Sequence, residues 1–446
     1  MSLDLRRLSA SQWRAEVPAR RGFEMPELDA ETEARLTGMF GRPITAQDAV
    51  RTIVDDVRQR GDAAVADWTR RVDGVTIAQT RVDPSALHDA WDSAEVATRD
   101  ALAAAADRLR GFHSFQVDAA NRGSNSAWLR PEPLQRVGCY VPGGRAAYPS
   151  TVLMCAIPAQ MAGVASVAIA SPPDALGRVH QLVLAAAHLI GIREVHAVGG
   201  AQAIAALAFG TATIAPVDKV VGPGNLFVTL AKREVFGTVG IDQLAGPSEI
   251  VVIASEDADP ELIALDLVSQ LEHDPAAWAV CMTSSESLAA GVAHRFSRAA
   301  GEAARASIIA AAAGKHAAVV VCRSLDEALE LAAAFAPEHV SLQGRDAEAL
   351  RDRVRNAGAV FCGACSPVSI GDYVAGPNHT LPTQGAARYR GPLSVMDFVR
   401  WPSVVQLGPE EFTALAPVAA ALARAEGLTA HESAIRARVD SLETAR

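Results

Sequence analysis

The chain has 446 residues, 50% of them hydrophobic but only 5% aromatic, with a formal net charge of −10 at pH 7. That length allows more than one domain and a large core, and the acidic balance argues against sequence-independent nucleic-acid binding, which needs basic patches to displace counterions. No stretch reaches the ~20 apolar residues of a membrane span, and Met1-Ser2-Leu3-Asp4-Leu5-Arg6-Arg7 is not followed by the apolar run of a signal peptide, so no membrane association and a cytoplasmic location are expected.

In chain order, residues 1–30 read as an amphipathic arm around Trp13. From Thr45, the apolar residues Ala49, Val50, Ile53, Val54 and Val57 share one helical face, Gly61 ends that helix, and Asp62 can cap the next. A further helix is expected over 93–112. Near Arg136 strands begin to alternate with helices: a strand over 137–141, a tight turn at Pro142-Gly143-Gly144, and a helix over 150–162. Strands at 167–170 and 195–198 follow, with a helix over 179–189 between them. Then come Gly199-Gly200, a helix over 201–209, a strand at 219–221, the turn Gly222-Pro223-Gly224 and a helix over 225–235. This alternation over short glycine-rich turns predicts a doubly wound parallel sheet. GxGxxG is absent, yet the glycine turns leave backbone amides free at helix starts, where a pyrophosphate can bind.

A second unit of the same kind begins at Glu249. Its expected strands lie at 250–254, 280–283, 318–322 and 359–361, with a helix over 260–271. Two successive α/β units imply two lobes with a crevice between them. Beyond Pro392 two helices are expected, over 409–425 and 430–444.

The stretch Ala336-Pro337-Glu338-His339 organises the chemistry. Ser324 and Glu327 have capping-box form at the start of the preceding helix, and Pro337 breaks that helix at Ala336. A carboxylate and an imidazole then stand side by side on a strand-entry loop, where they can divide two proton transfers. A solvated Glu beside a surface His would read the same. Neighbours on an extended segment point to opposite sides, so the loop must kink, or Glu338 must act through water.

Three further stretches carry metal-binding residue types. Gln270 and His273 lie three apart near a helix end. Gly371 to His379 is a breaker-rich loop that carries an acid, a phenol and an imidazole, Asp372, Tyr373 and His379. Thr429 and Glu432 fit a capping box that places His431 in a first helical turn, where the positive helix end favours the neutral ring a metal needs. Two imidazoles, one carboxylate and one amide oxygen would suit zinc. Cys362 and Cys365 form a lone CxxC, read as incidental because no second pair completes a zinc set.

Taken together, these stretches resemble the histidinol dehydrogenase family over nearly the whole chain. The resemblance rests on Tyr140-Val141-Pro142-Gly143-Gly144, Val198 to Gly210, Gly222-Pro223-Gly224-Asn225 and Ala245-Gly246-Pro247-Ser248-Glu249. It continues through Gln270 to His273, Pro337-Glu338-His339, Gly371 to Thr383 and Glu426 to His431. The family implies two doubly wound, incomplete Rossmann-like domains with small helical N- and C-terminal segments that cross to the partner subunit. In that division an arm spans 1–30, a large discontinuous domain 31–139 plus 249–390, an NAD-binding domain 140–248 and a dimerisation tail 391–446.

The resemblance also implies the last steps of histidine biosynthesis: L-histidinol oxidised to L-histidine through L-histidinaldehyde, with two NAD and one zinc per subunit. Glu338 and His339 match the catalytic pair. Gln270, His273, Asp372 and His431 match the zinc ligands. Ser248 and Glu426, with His339 and the ligands, match substrate contacts. Tyr140, Gln202 and Asn225 match positions around the NAD. A homodimer with shared sites follows, the tail completing the partner's site. The chain departs from the family pattern at Trp401-Pro402 and at Val368, where many members carry Glu.

Rival readings are a paralogue oxidising another primary alcohol, such as a sulfonated diol, and a non-catalytic metal- or nucleotide-binding protein. Glu426, suited to an amine, speaks against an anionic substrate; Glu338 and His339 speak against loss of catalysis. Thiol catalysis through Cys139 lacks a neighbouring His or Lys in the sequence to activate it. Cys139→Ala should therefore keep substantial turnover in an NADH assay; loss of the aldehyde step alone would restore the thiol route.

Overall fold

A computed structural model describes residues 5–17, 21–23, 25, 28–117, 126–143 and 147–444. Met1 to Asp4, and Gly144 of the expected turn, lie outside them. The chain groups into two compact units, residues 1–117 with 134–398, and residues 118–133 with 399–446.

The larger unit holds two parallel sheets. The five-stranded sheet runs Val195–Ala197, Ser166–Ser171, Arg136–Tyr140, Lys219–Val221, Gly240–Ile241. In chain order that is 3-2-1-4-5, a doubly wound arrangement in which the strand order reverses beside the first strand. The six-stranded sheet runs Arg6–Ser9, Ala317–Val321, Trp278–Thr283, Glu249–Ala254, His339–Gln343, Ala359–Cys362. Leaving aside its first edge strand, the winding is the same, with Glu249–Ala254 first and His339–Gln343 fourth.

Parallel sheets of this kind must be covered on both faces, and strand alternation assigns each side chain to one. Val137 and Cys139 face a core made with helices Val96–Val117, Pro149–Met161 and Gln181–Leu189. Tyr140, Ala168 and Ala170 face another, made with Ala46–Arg60, Gly200–Phe209 and Leu226–Val235. In the second sheet Ile250 and Val252 pack against Pro260–Leu271, Glu286–Glu302 and Ala306–His316. Val251 and Ile253 pack against Ala10–Glu16 and Leu325–Phe335.

The N-terminal residues differ from the expected arm. Arg6–Ser9 pairs in parallel with Ala317–Val321 and completes this chain's own sheet. Ser9 and Gln12 form a capping box that starts the next helix, and Trp13 is buried edge-on against Trp278. A four-residue strand is too short for its alternation to stand out in sequence.

Three expected caps also differ. Ser324 caps its helix by accepting the Glu327 N–H, but the Glu327 carboxylate takes Arg323 and Arg14 instead of closing the box. Gly61, not Asp62, occupies the cap position; Asp62 accepts from the Thr213 hydroxyl. Helix Thr429–Thr444 begins at Thr429 itself, and Glu432 is held by Arg424 and Arg436.

In the smaller unit Ala127–Leu129 pairs antiparallel with Ser403–Val405, and Glu132–Pro133 with Val399–Arg400. The unusual Trp401-Pro402 falls between those two pairings, and the Pro402 carbonyl accepts from Arg130 N–H. Helices Pro409–Ala425 and Thr429–Thr444 follow. Val368, the other departure, is buried in the core beside Pro260–Leu271.

One turn is clamped by charge. Lys232 and Asp242 form an ion pair with 2% of each side chain exposed. Lys232 Nζ also donates to the Gly222 carbonyl at 2.9 Å, while Asp242 accepts the Gly222 N–H at 2.7 Å. Gly222 has φ +111°, and a Cβ there would lie 2.1 Å from the Tyr140 carbonyl oxygen, so only glycine fits. Lys232→Met strands a buried carboxylate and should cost about 3–5 kcal/mol in urea unfolding. Adding Asp242→Asn should recover part of that loss.

Candidate active site

Helix Leu325–Phe335 stops at Ala336, which adopts the left-handed conformation (φ 54°) ahead of Pro337. The chain then enters strand His339–Gln343. Glu338 and His339 are not on a solvated loop: their exposures are 7% and 4%. Parallel pairing sets His339 opposite Ile250, which brings both residues against Glu249. Glu338 Oε2 accepts the Glu249 N–H at 3.0 Å, and Glu249 Oε2 accepts the Glu338 N–H at 3.3 Å. Ser248 stands close enough to the Glu338 carboxylate to favour its charged form. Gly358 permits this packing, since a Cβ there would meet the Glu338 carbonyl oxygen at 2.6 Å.

The opposed-neighbour difficulty is resolved by geometry, because Glu338 Oε2 lies 3.6 Å from His339 Nδ1. That nitrogen lies 3.0 Å from the Glu249 carbonyl oxygen. A carbonyl only accepts, so Nδ1 carries the proton and Nε2 keeps the lone pair of a base. Burial holds His339 down at about 4. Burial, with the Glu249 and Asp372 carboxylates nearby, pushes Glu338 well above the usual range.

His339 and Asp372 line a cavity of about 180 Å³ that His379 also borders. Asp372 follows the short helix Val368–Gly371. Burial raises its pKa while His273 nearby pulls it back. Gln270 is buried in the last turn of Pro260–Leu271, and His273 lies just past the helix end, its N–H on the Gln270 carbonyl, rather than on the helix face. His273 is exposed. Glu426 and His431 are exposed residues of the smaller unit.

Sequence reasoning noted the His379 imidazole on its loop without giving it a role, and missed Glu249 and Arg21. His379 sits half-buried with an Nε2 that has no hydrogen-bond partner among the described residues, and burial lowers it to about 4. Asn378 beside it anchors the loop to the Met154 carbonyl at 2.6 Å. Glu249 is fully buried and salt-bridged to Arg21. An acid opening an otherwise apolar strand was a usable signal for Glu249; nothing local marks Arg21.

At the carboxyl ends of the five-stranded sheet, the Tyr140 hydroxyl accepts the Gly200 N–H at 3.2 Å. Gln202, also buried, donates to Asp73 at 3.2 Å and leaves its Oε1 without a partner among the described residues. Asp73, unmarked in the sequence, is raised by burial to about 6. Asn225 caps helix Leu226–Val235, its side chain accepting the Val228 N–H. Cys139 is completely buried, and burial pushes its thiol up.

Fold and site therefore define an α/β protein of two parallel sheets with a buried acid–imidazole pair at a cavity. The histidinol dehydrogenase family model matches residues 42–439. Histidinol dehydrogenase of Parasynechococcus marenigrum is 46% identical over 418 residues, 92% of this chain and 96% of that protein. The Caulobacter vibrioides protein of the same name is 45% identical over 425 residues, covering 94% and 98%. The crystal structure of histidinol dehydrogenase from Elizabethkingia anophelis superposes with a TM-score of 0.89 at 31% identity, covering 99% of both chains. The chain belongs to the histidinol dehydrogenase family, a family of oxidoreductases. Among the described residues no helix is long and apolar enough to cross a membrane.

His379 takes a proton near pH 6.5 when unfolded but only near 4 in the fold. Its share of stability is complete above pH 6.5 and is lost progressively as pH falls toward 4. His379→Asn should flatten the fall of the urea midpoint across that window in metal-free protein, while leaving stability above pH 7 less affected.

Proposed function

We propose that this protein oxidises L-histidinol to L-histidine through L-histidinaldehyde, with two NAD and one zinc per subunit, in the last steps of histidine biosynthesis. The observation that carries the reading is the buried Glu338–His339 pair: one base with its tautomer set, and one carboxylate of raised proton affinity. His339 Nε2 takes the alcohol proton in the first oxidation. Glu338 takes a proton from the water that hydrates the aldehyde. His339 then takes the proton of the hydrate in the second oxidation. Ser248 would contact the substrate beside Glu338.

Bound NAD supplies the hydride acceptor for both oxidations. Tyr140, Gln202 and Asn225 would hold it in the 140–248 domain, at the glycine turns of a Rossmann-like sheet. The Gln202 Oε1, without a partner among the described residues, fits a ligand there. Asn225 is already engaged as a helix cap and would contact NAD with its remaining amide group.

Gln270, His273, Asp372 and His431 would hold zinc, which orients the substrate's imidazole and amine. Nitrogen and oxygen donors of this kind suit that ion. No group of three His, Cys, Asp or Glu able to hold a metal occurs among the described residues. In the proposed set Gln270 would contribute an amide and His431 would come from a second subunit. The exposed Glu426 and His431 would complete the partner's site in a homodimer, Glu426 pairing with the substrate's ammonium. A sulfonated or other alcohol is not favoured, given the family match. Neither a membrane nor a nucleic acid enters this reading, which is that of a cytoplasmic enzyme.

Zinc-loaded protein should yield two NADH per histidinol, with histidine as product. Glu338→Gln should lower the aldehyde half far more than the alcohol half, and His339→Asn should lower both by about 10²–10⁴-fold. One NADH with aldehyde released would refute the role given to Glu338.

A further inference from the structure

Glu249 touches both members of the catalytic pair, and a segment remote in sequence balances its charge. Its N–H is bonded by the Glu338 carboxylate, its carbonyl by His339 Nδ1, and its own carboxylate accepts the Glu338 N–H. The side chain is 0% exposed and accepts also from Gln384 N–H at 3.2 Å. An unpaired carboxylate buried there would stand beside Glu338, with Asp372 close by, and the mutual repulsion would be severe.

Arg21 removes it. Its guanidinium bonds Glu249 and lies over the Phe335 ring at 3.9 Å and over Trp278 at 5.3 Å. Trp13 packs against both rings. The planar cation is thereby fixed by stacking as well as by charge. Its main chain runs close against Gly385, where a Cβ would lie 2.9 Å from the Arg21 carbonyl oxygen.

We propose that Arg21 and Glu249 form a positioning dyad for catalysis: Glu249 orients Glu338 and His339 through paired main-chain bonds, and Arg21 supplies the positive charge that lets a second carboxylate stand there. Neither residue touches the substrate. The inference rests on the roles given above to Glu338 and His339. It assigns the N-terminal segment a part in the chemistry beyond completing a sheet.

The test is a double-mutant cycle on the full zinc-loaded protein, with Arg21→Met, Glu249→Gln and both together. The amide introduced by Glu249→Gln keeps an acceptor for the Glu338 N–H but carries no charge, so it has no need of Arg21. Arg21→Met should lower kcat for histidinol by roughly 10–100-fold with KM changed less than about threefold. Arg21→Lys should retain more activity than Arg21→Met. The double variant should be more active than Arg21→Met alone, by about fivefold or more. A merely structural Arg21 would instead give losses that add. Arg21→Met with wild-type kcat, or a double variant no better than the single, overturns the proposal. If Arg21→Met fails to fold, a folded and active double variant supports the charge balance, and an inactive one overturns it.

A second measurement needs no turnover. Nitrogen-15 imidazole shifts of His339 should show the Nδ1–H tautomer in the wild type, exchange between tautomers in Arg21→Met, and recovery in the double variant. If the wild type does not oxidise histidinol but this pattern holds, the substrate assignment fails and the dyad stands. An Nδ1–H tautomer unchanged in Arg21→Met overturns it.

Discussion

Glu249 and Glu338 exchange hydrogen bonds across two neighbouring strands, each carboxylate accepting the other's backbone N–H. Two acids would not be buried in contact without such donors, because each needs its charge either solvated or neutralised. The arrangement satisfies both: a main-chain amide for each, and Arg21 for Glu249. Once it is set, the Glu249 carbonyl lies 3.0 Å from His339 Nδ1 and accepts its proton, and the tautomer follows. The cavity, the loop bearing Asp372 and His379, and the N-terminal segment are all arranged around that pairing.

Strand direction explains where the remaining groups lie. In the five-stranded sheet Tyr140 closes its strand, and the glycine turns at 199–200 and 222–224 follow the strands Val195–Ala197 and Lys219–Val221. These are carboxyl ends, the usual edge for a ligand in a doubly wound sheet. In the six-stranded sheet Glu249 and His339 each open their strand, which is the amino edge. Helix Pro260–Leu271 runs back to that edge and delivers Gln270 and His273 there. The loop from Asp372 to Gln384 touches both halves: Asn378 bonds the Met154 carbonyl, Thr383 accepts the Gly246 N–H, and Gln384 N–H bonds Glu249.

Much of this was readable in the residues. Helix Pro260–Leu271 and strand Lys219–Val221 fall where periodicity and breakers put them, because a buried apolar face with a clear start and stop leaves little choice. Glu338 and His339 were nameable because Pro337 marks a break just before them. What escaped reading depends on contacts between distant residues. Arg21 and Glu249 meet only after the sheet has formed, and His379 has no local feature separating it from an ordinary loop histidine. The capping boxes at Ser324 and Thr429 failed for a related reason: arginines outside the cap pattern reached the glutamates first.

The pairing of Arg6–Ser9 with Ala317–Val321 has a consequence for synthesis. This early strand has no partner until the third strand of the second lobe has emerged from the ribosome, and the contact it makes is among the longest-range in the chain. Non-local parallel pairing of this kind closes slowly, and a waiting strand edge is open to wrong partners. Charge limits that risk: the four residues begin with two arginines, which keep the unpaired strand hydrated. Because Arg21 follows on the same segment, the buried carboxylate pair acquires its counter-charge only when both distant segments are present, so early in synthesis those acids stand without it.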